Sequence, residues 1–361
     1  MKKKKIIIAS CVLLIVLGGI IYFMGNNKIK DLPVTEGVEV VPTMDDNISR
    51  DTSWCSTFQL VWNDMKREIV EQDVVFSPQI KMVENLNKES FTEDMLSDEY
   101  YFKIYGFKNL ELKEKIEKGI KEKFNQTSDI LDDFDWSNEA LDNPNSSDIR
   151  RYFFYTMLYR EFEYNKRFSI LDNDKFGNYD DVKYFGTISD SSSEAREQIE
   201  VLFYDDRDNF AVKLHTKNGD EVIFYKNAIG DTFNEIYDNL NSKTASYKGN
   251  RNFGENDFFK APFMDFNVKK EYDELYNVSF VSDDGTEYAI DMALQTISFS
   301  LDEKGGRVKS EAATDMKTTS IGDRDFRYFY VNDDFTLFLK EKKRDKPYLA
   351  IKVSDIFKYQ S

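Results

Sequence analysis

The sequence predicts an α+β body that follows a single N-terminal membrane-spanning helix. Strands are indicated by alternation, and the clearest lies in residues 295–302, where Ile297, Phe299 and Leu301 point one way and polar side chains the other. Helices are indicated by a period of three to four residues, as in residues 110–124. The apolar side chains that share one face of that helix are Leu112, Ile116, Ile120 and Phe124. An uncharged apolar run in residues 6–24 predicts the membrane helix.

The amino terminus has the pattern of a signal anchor. Residues 1–5 read MKKKK, which predicts a short cytoplasmic tail. At about 1.5 Å per residue, a helix over residues 6–24 spans the roughly 30 Å hydrocarbon core of a bilayer. The rest of the chain is then expected outside the cell. A signal peptide that is cleaved after export and a lipidated Cys11 are the alternatives.

The remainder is predicted to be a linker, residues 25–52, and an extracellular domain, residues 53–361. The linker contains two prolines and no lasting period. The chain has a net charge of -17, so without the four lysines of the tail the rest carries -21. Such an acidic protein is not expected to bind nucleic acid or an anionic membrane surface. Cys55 is the one cysteine after residue 24, so the domain cannot form an internal disulfide bond.

A break and an exposed loop follow the strand of residues 295–302. Gly305-Gly306 ends the strand, and small or apolar side chains then alternate with charged ones. These small or apolar positions are Ser310, Ala312, Thr314 and Met316. Residues 318–325 combine turn formers and charges without a period, which predicts the loop. The chain re-enters a core through Phe329, Val331, Phe335, Leu337 and Leu339.

This order resembles the C-terminal part of a serpin, the fold of the suicide protease inhibitors. In that family a long strand runs through an E-x-G turn into a small-residue hinge, an exposed reactive loop and an aromatic strand with an N-x-P-F-like signature. The matching pieces are Glu303-Lys304-Gly305, residues 310–314, the loop around Asp323-Arg324, and Asn332-Asp333-Asp334-Phe335. Earlier in the chain, a helix that runs into Val-x-Phe-Ser-Pro at residues 74–78 and an aromatic strand at residues 152–159 are similar to the family in the same order.

Several positions depart from the family's pattern. Gln295 stands where the family usually has a histidine of the shutter beneath the central sheet, and Thr156 stands in place of a strand asparagine. Four extra residues, 306–309, separate the turn from the hinge, and Lys309 replaces a hinge glycine. The small-residue helix of the shutter is not recognisable in residues 79–88.

The resemblance implies mixed central β-sheets with surrounding helices and a protease-inhibiting mechanism. An inhibitory serpin keeps its uncleaved loop outside a sheet. When a protease cuts the loop, the hinge inserts as an added strand and carries the acyl-enzyme with it. The scissile bond would fall near Asp323 and Arg324, and the target would prefer arginine if Arg324 is read and an acidic residue if Asp323 is read. The partner would be a secreted or surface protease. This chain would itself be a single-pass protein of the cell membrane.

Two alternatives to an inhibitor remain open. The extra residues 306–309 could make the hinge a plain hairpin that is already paired in the sheet, which would leave a serpin-like surface module that binds a ligand or protein without trapping. The second alternative is an unrelated extracellular domain or enzyme.

Catalytic and metal-binding motifs are not apparent in the sequence. His215 is the one histidine, and it stands at a strand end before an Asn-Gly turn, without a nucleophile elbow or a glycine-rich oxyanion loop. No C-x-x-C or H-E-x-x-H occurs, and the calcium-like start at residues 172–177 has Lys183 in place of a bidentate glutamate. We therefore expect no enzyme activity, no cofactor and no metal.

Overall fold

The computed structural model describes residues 34–127, 131, 132, 134, 136, 149–276, 278–306 and 326–360. Residues Val34–Ser361 form one compact unit. Within the described ranges, no helix is both long and apolar enough to cross a membrane. The predicted cytoplasmic tail and membrane helix, residues 1–24, lie outside these ranges.

Strands make up most of the body, and helices lie between them. The strands of the described residues, in chain order, are β1 (Glu39–Val41), β2 (Thr52–Cys55), β3 (Tyr101–Gly106), β4 (Ile149–Leu158), β5 (Phe162–Glu163), β6 (Ser169–Phe176), β7 (Tyr179–Gly186), β8 (Ile199–Tyr204), β9 (Phe210–His215), β10 (Asp220–Lys226), β11 (Asp257–Pro262), β12 (Met264–Glu271), β13 (Ser279–Val281), β14 (Glu287–Leu301), β15 (Gly305–Gly306), β16 (Arg327–Tyr330), β17 (Phe335–Glu341) and β18 (Leu349–Val353). The α-helices are α1 (Thr57–Met65), α2 (Lys81–Leu86), α3 (Leu110–Phe124), α4 (Ser193–Glu197) and α5 (Phe233–Ser246).

Three sheets organise these strands. The central sheet has the order β3-β4-β14-β15-β5, and β12 and β13 also pair with β14. The second sheet has the order β1-β2-β18-β17-β10-β9-β8, and a smaller sheet has the order β16-β11-β7-β6. In the central sheet β14 runs parallel to β4 and antiparallel to β12, so the sheet is mixed. The predicted α+β class, with mixed sheets and surrounding helices, is confirmed.

The long strand β14 has one buried face at its C-terminal end, as its alternation predicts. Ile297, Phe299 and Leu301 are buried there, and the polar residues between them are partly exposed. β14 begins at Glu287, earlier than the alternation indicates. Tyr288 and the two residues after it are all buried, so apolar and polar residues do not alternate in this part of the strand.

The structure includes residues 34–52 of the predicted linker in its compact unit. β1 pairs in parallel with β2, and Val40 and Met44 are buried in the main core. The N–H of Thr35 donates to the carbonyl of Asn267 on β12 at 2.7 Å. Residues 34–52 therefore belong to the domain, because their backbone and side chains are bonded and buried within it.

Helix bounds follow the local capping groups. α3 has the bounds that its apolar period predicts, and the side chain of Asn109 caps its first turn. α5 begins with Thr232 as its cap, because the Thr232 hydroxyl accepts from the N–H of Glu235 at 3.1 Å.

Candidate functional site

The turn after β14 returns the chain into the central sheet. β15 pairs antiparallel with the end of β14 through Leu301, and antiparallel with β5 through Phe162 and Glu163. It therefore lies between β14 and the short strand that follows β4. It is also the last described element before residues 307–325.

Glycine is required at both positions of β15. A Cβ atom on Gly305 would lie 2.1 Å from the carbonyl oxygen of Phe162, and one on Gly306 would lie 2.4 Å from the Phe162 ring. The φ angle of Gly305 is +153°, a conformation that L side chains rarely adopt. At Gly305 and Gly306, the space between β14 and β5 thus accommodates a glycine backbone but no side chain.

The turn that precedes β15 is fixed to the segment that follows β5. The carbonyl of Glu303 accepts from the N–H of Phe168 at 2.9 Å, and the carbonyl of Lys304 accepts from the N–H of Tyr164 at 2.8 Å. The Glu303 carboxylate is nearly buried and pairs with Arg167 at 2.5 Å. The predicted E-x-G turn is therefore bonded through both its backbone and its charged side chain.

Beyond this turn, β4 and β14 pair directly with each other, and we call this pairing the seam. The parallel register runs from Glu287 to Thr296 on β14, and no described strand lies between the two over this span. Arg151 on β4 and Asp291 on β14 form an ion pair across the seam at 3.0 Å. Since more than a third of the Arg151 side chain is exposed, this ion pair adds little to stability.

Five buried polar residues beneath the seam form what we call the seam network. The Nε2 of Gln295 donates to the carbonyl of Cys55 at 3.0 Å and to the hydroxyl of Thr57 at 2.9 Å. Its Oε1 accepts from the hydroxyl of Tyr272 at 2.7 Å. The Thr57 hydroxyl donates to that of Thr156 on β4 at 3.3 Å. Each of the five has an exposed fraction of 0%, so each polar atom depends on these partners.

The seam network is uncharged at neutral pH. Burial raises the pKa of the Cys55 thiol to about 11. Burial also raises the pKa of the Tyr272 hydroxyl well above its ordinary value. Both groups therefore stay protonated, and Tyr272 remains a hydrogen-bond donor to Gln295.

The seam network is attached unequally to the two strands. Gln295 on β14 bonds to Cys55 at the end of β2, to Thr57 at the start of α1 and to Tyr272 after β12. Among the network's bonds, only the one from Thr57 reaches Thr156 on β4, and at 3.3 Å it is long for two hydroxyls. Within the seam network, β14 therefore has more side-chain hydrogen bonds to its surroundings than β4 has.

The helix beneath the seam is α1, and the apolar spacing over residues 56–71 predicts a helix in this part of the chain. Its position beneath the seam is not predicted, because the resemblance puts the shutter helix after Ser77-Pro78, whereas no strand lies in residues 71–80 and the short α2 follows. Instead, β2 leads through Ser56 directly into α1, whose first residue is Thr57. The available signal is the pair of small polar residues, Ser56-Thr57, directly after a buried strand.

The chain re-enters the described fold at Phe326 and β16, where Arg327 is firmly bonded. Its guanidinium pairs with both carboxylate oxygens of Asp257, at 2.8 and 2.7 Å. It also donates to the carbonyls of Asn250 at 2.6 Å and Asn252 at 2.8 Å. Both flanks of residues 307–325 are therefore fixed in sheets, one between β14 and β5 and the other beside β11.

The predicted hinge and cleavage residues lie outside the described residues. They are Ser310, Ala312, Thr314, Met316, Asp323 and Arg324. Their roles stay predictions, and the candidate site consists of the surroundings that the structure does describe: the turn, β15, the seam and the seam network.

His215 and the calcium-like segment have ordinary surroundings. The Nε2 of His215 lies 3.2 Å from the Glu200 carboxylate, and this hydrogen bond, aided by Lys213, lowers the pKa of Glu200 to about 2. Asp174, in the calcium-like segment, lies in β6 and pairs with Lys260 at 2.5 Å. Among the residues that the structure describes, no three His, Cys, Asp or Glu side chains form a group that could hold a metal ion.

Comparison with known proteins gives matches among solved structures alone. No protein-family model and no curated protein matches the chain. The native state of the thermophilic serpin tengpin matches with 12% identity and a TM-score of 0.47, over 86% of this chain and 90% of that one. Human thyroxine-binding globulin with bound thyroxine matches with 11% identity and a TM-score of 0.39, over 68% of this chain and 64% of that one. Serpin48 of the insect Tenebrio molitor matches with 12% identity and a TM-score of 0.38, over 67% and 64%.

The match thus spans less than two thirds of the length of the globulin and of the insect serpin. The function is accordingly indicated by the motifs and by the geometry of the central sheet.

Proposed function

We propose that this chain is a membrane-tethered, serpin-like protein of the outer cell surface that inhibits a protease by cleavage and insertion of its loop. The observation that carries the proposal is the position of β15. The chain leaves the turn antiparallel to both β14 and β5 and lies between them. That is the direction and the place from which a hinge would insert as an added strand.

The register of β15 supports the proposal independently of any motif. Gly306 pairs with Leu301 on one side and with Phe162 on the other. Six residues further along an added strand, Ala312 would therefore stand beside Gln295 on β14 and beside Thr156 on β4. Those two residues are already opposite each other in the seam. The two sides of the proposed insertion path are thus in register before any strand enters.

The same register gives the direction in which each hinge side chain would point. Paired residues in a sheet share a face, and Gln295, Ile297 and Leu301 are buried. Ser310, Ala312 and Thr314 would therefore face the core, where their small size is required. Met316 would reach the β-bulge between Ile290 and Met292, where a flexible side chain adapts to irregular space.

Insertion would exchange one backbone ladder for two. β4 and β14 now bond to each other, and an added strand would bond to both. The exchange would break the network's one bond to β4, between Thr57 and Thr156, which is worth about 1 kcal/mol. The three bonds of Gln295 would survive if α1 moves together with β14.

The partner and the location are proposed from the sequence. A trypsin-like or other arginine-preferring protease would cut after Arg324, and an acid-preferring one would cut after Asp323. A tether at residues 6–24 would keep the protein at the cell surface, where secreted and surface proteases are encountered.

The proposal is tested with the full chain in detergent micelles and trypsin. A complex that survives a denaturing gel is expected, together with a marked rise in the melting temperature of chains cut between residues 318 and 327. Cleavage that gives neither the complex nor the rise would exclude insertion.

A matched pair of variants tests the register. Ala312→Glu would place a charge in the core between Gln295 and Thr156, which is costly for an unpaired carboxylate, so the rise in melting temperature should be lost. Ala313→Glu would place the same charge on the outer face, and the rise should persist. Equal behaviour of the two variants would contradict the register. Glutamate adds no new trypsin site.

A second candidate function is a serpin-like surface module that binds a ligand or protein without trapping. It is favoured by the closed seam and by the satisfied hydrogen bonds of the seam network, which stabilise the present pairing of β4 with β14. Loop cleavage without thermal stabilisation and without a complex would select this function. The tether would then present the binding surface outside the cell.

A further inference from the structure

The link between β4 and β5, residues 159–161, carries a buried arginine. The Nε of Arg160 donates to Oδ1 of Asp220 at 3.1 Å, and its Nη2 donates to Oδ2 of the same carboxylate at 2.5 Å. The exposed fractions of the two side chains are 6% and 0%. The guanidinium also lies over the ring of Tyr100, 3.3 Å from its centroid. Arg160 is therefore fixed by two hydrogen bonds to Asp220, by a longer one of 3.4 Å to the carbonyl of Asn218, and by stacking on the ring.

Arg160 joins two different sheets. Its own link belongs to the central sheet, whereas Asp220 is the first residue of β10 in the second sheet. The hydroxyl of Tyr348, just before β18, donates to Asp220 Oδ1 at 3.1 Å. Burial raises the pKa of the Asp220 carboxyl, and Arg160 opposes this shift. Groups from both sheets thus bond within this charge pair. We call the pair of Arg160 with Asp220 the Arg160 clamp.

A second set of bonds fixes β5 to the same hairpin. The N–H of Lys217 donates to the carbonyl of Glu163 at 2.8 Å, and the N–H of Glu163 donates to the side-chain oxygen of Asn218 at 3.1 Å. Lys217 and Asn218 lie in the turn between β9 and β10. The edge of β5 that faces away from β15 is therefore paired to the second sheet.

We propose that Arg160 is a positioning residue that fixes the C-terminal end of β4 and so controls how readily the seam opens. Gln295 on β14 bonds to Cys55 at the end of β2, so β14 is joined to the second sheet. Opening the seam displaces β4 relative to β14, and the Arg160 clamp, which joins the link after β4 to β10 of the same second sheet, opposes that displacement. The consequence for insertion rests on the proposed function, but the effect on the seam does not.

Hydrogen exchange of the full chain in micelles, before any cleavage, tests the clamp. Arg160→Met with Asp220→Leu replaces the charge pair by apolar groups of similar volume, which preserves packing. Amides of β4 should exchange at least about 10-fold faster, because the charge-assisted hydrogen bonds that join the link after β4 to β10 are lost. Global stability should stay unchanged or rise, because apolar groups of similar volume replace the buried pair. Amides of β8 and β9 should be unaffected.

The matched control removes a different charge pair of the second sheet. Lys213→Met with Glu221→Leu deletes an ion pair of 3.1 Å between β9 and β10, together with the pairs of Lys213 with Glu200 and of Glu221 with Lys340. The β4 amides should keep their wild-type rates. Both double variants are compared equally far below their own melting temperatures. Wild-type exchange of β4 in the Arg160 variant, or equal acceleration in the control, would overturn the proposal. Should the double variant fail to fold, Asp220→Asn makes the same comparison with the shape retained.

A second readout separates the clamp from the proposed function. If insertion occurs, the Arg160 variant should convert without cleavage, during incubation, into a form with a higher melting temperature. Faster exchange of β4 without such conversion, in a chain whose wild type also gains nothing on cleavage, would refute insertion and support the clamp. Conversion without faster exchange of β4 would refute the clamp and support insertion.

Discussion

Replacement of Gln295 by leucine tests whether the seam network is the polar centre of the central sheet. The two side chains have similar volumes, so the variant removes hydrogen bonds without creating a large cavity. Gln295 has an exposed fraction of 0% and bonds to Cys55, Thr57 and Tyr272. We expect the variant to lose global stability, because none of these buried groups can form a replacement hydrogen bond with water.

The magnitude follows from the bonds that disappear. The two hydrogen bonds from Nε2 contribute about 1 kcal/mol each. The hydroxyl of Tyr272 would remain buried without its acceptor, which costs about 1–3 kcal/mol. The free energy of unfolding should therefore fall by about 3–5 kcal/mol, with little change in the denaturant slope, since the surface exposed on unfolding is nearly the same.

A double-mutant cycle identifies the orphaned hydroxyl as the reason. Tyr272→Phe alone should cost about 1–2 kcal/mol. In the double variant no hydroxyl is left unpaired, so the loss should be smaller than the sum of the single losses by about 1–2 kcal/mol. Urea unfolding followed by the fluorescence of the buried Trp54 and Trp62 measures all four proteins. Additive losses, or a loss below about 0.5 kcal/mol for Gln295→Leu, would refute the assigned network.

A control comes from a buried glutamine outside the seam. Gln198 bonds to the backbone N–H of Lys166 at 3.0 Å and to its carbonyl at 2.7 Å. Gln198→Leu should also destabilise the protein, but its loss should add to that of Tyr272→Phe without coupling.

Two further predictions concern the surface of the second sheet and the space around β15. The pKa of Glu200, about 2, lies below the ordinary value of 4.5, mainly because of the hydrogen bond with His215; its contribution to stability is thus complete above pH 4.5 and lost as the pH falls towards 2. Glu200→Gln should flatten the acid limb of stability against pH in that window, and an unchanged limb would contradict the assignment. Gly305→Ala should cost at least about 2 kcal/mol in urea unfolding because its Cβ would meet the Phe162 carbonyl. Gly285→Ala, at a φ of +84° with open space around it, should cost less, and equal losses would refute the steric reason.

The sequence predicts best where one local pattern determines the structure. Helix α3 has its predicted bounds because four apolar residues at helical spacing, Leu112, Ile116, Ile120 and Phe124, meet one core cluster. The predicted core positions of β16 and β17, among them Phe329 and Leu337, are buried, although β17 is buried on both faces over its first five residues. For α3, burial on one side suffices to place the element.

Long-range bonds explain what the sequence could not predict. Residues 34–52 look like a linker because Thr35 finds its partner, Asn267, far along the chain. Gln295 and Thr156 can be singled out from the sequence because they stand at characteristic positions of the resembled family. Thr57, the residue that joins them, cannot be singled out in this way. The apolar spacing over residues 56–71 predicts helix α1 itself, but no local pattern indicates that its first hydroxyl reaches Gln295 and Thr156. The spatial neighbours of a buried polar group determine its role, and they are absent from any local pattern.

The four extra residues between turn and hinge do not by themselves argue against insertion. An even number of additional residues preserves the two-residue period of a strand. In the register of β15, Gly306 and Val308 would face the core and Arg307 and Lys309 would face outward, so Lys309 could replace a hinge glycine without entering the core. The first side chain to need space would be that of Val308, which would arrive beside Arg160.

The link that carries Arg160 is irregular, since residues 159–161 lie in no strand between β4 and β5. An added strand could bond to it only if the link became extended. Extension would draw Arg160 away from Asp220, to which it is bonded twice. The same clamp that keeps β4 in place before cleavage would therefore be the first contact that insertion breaks.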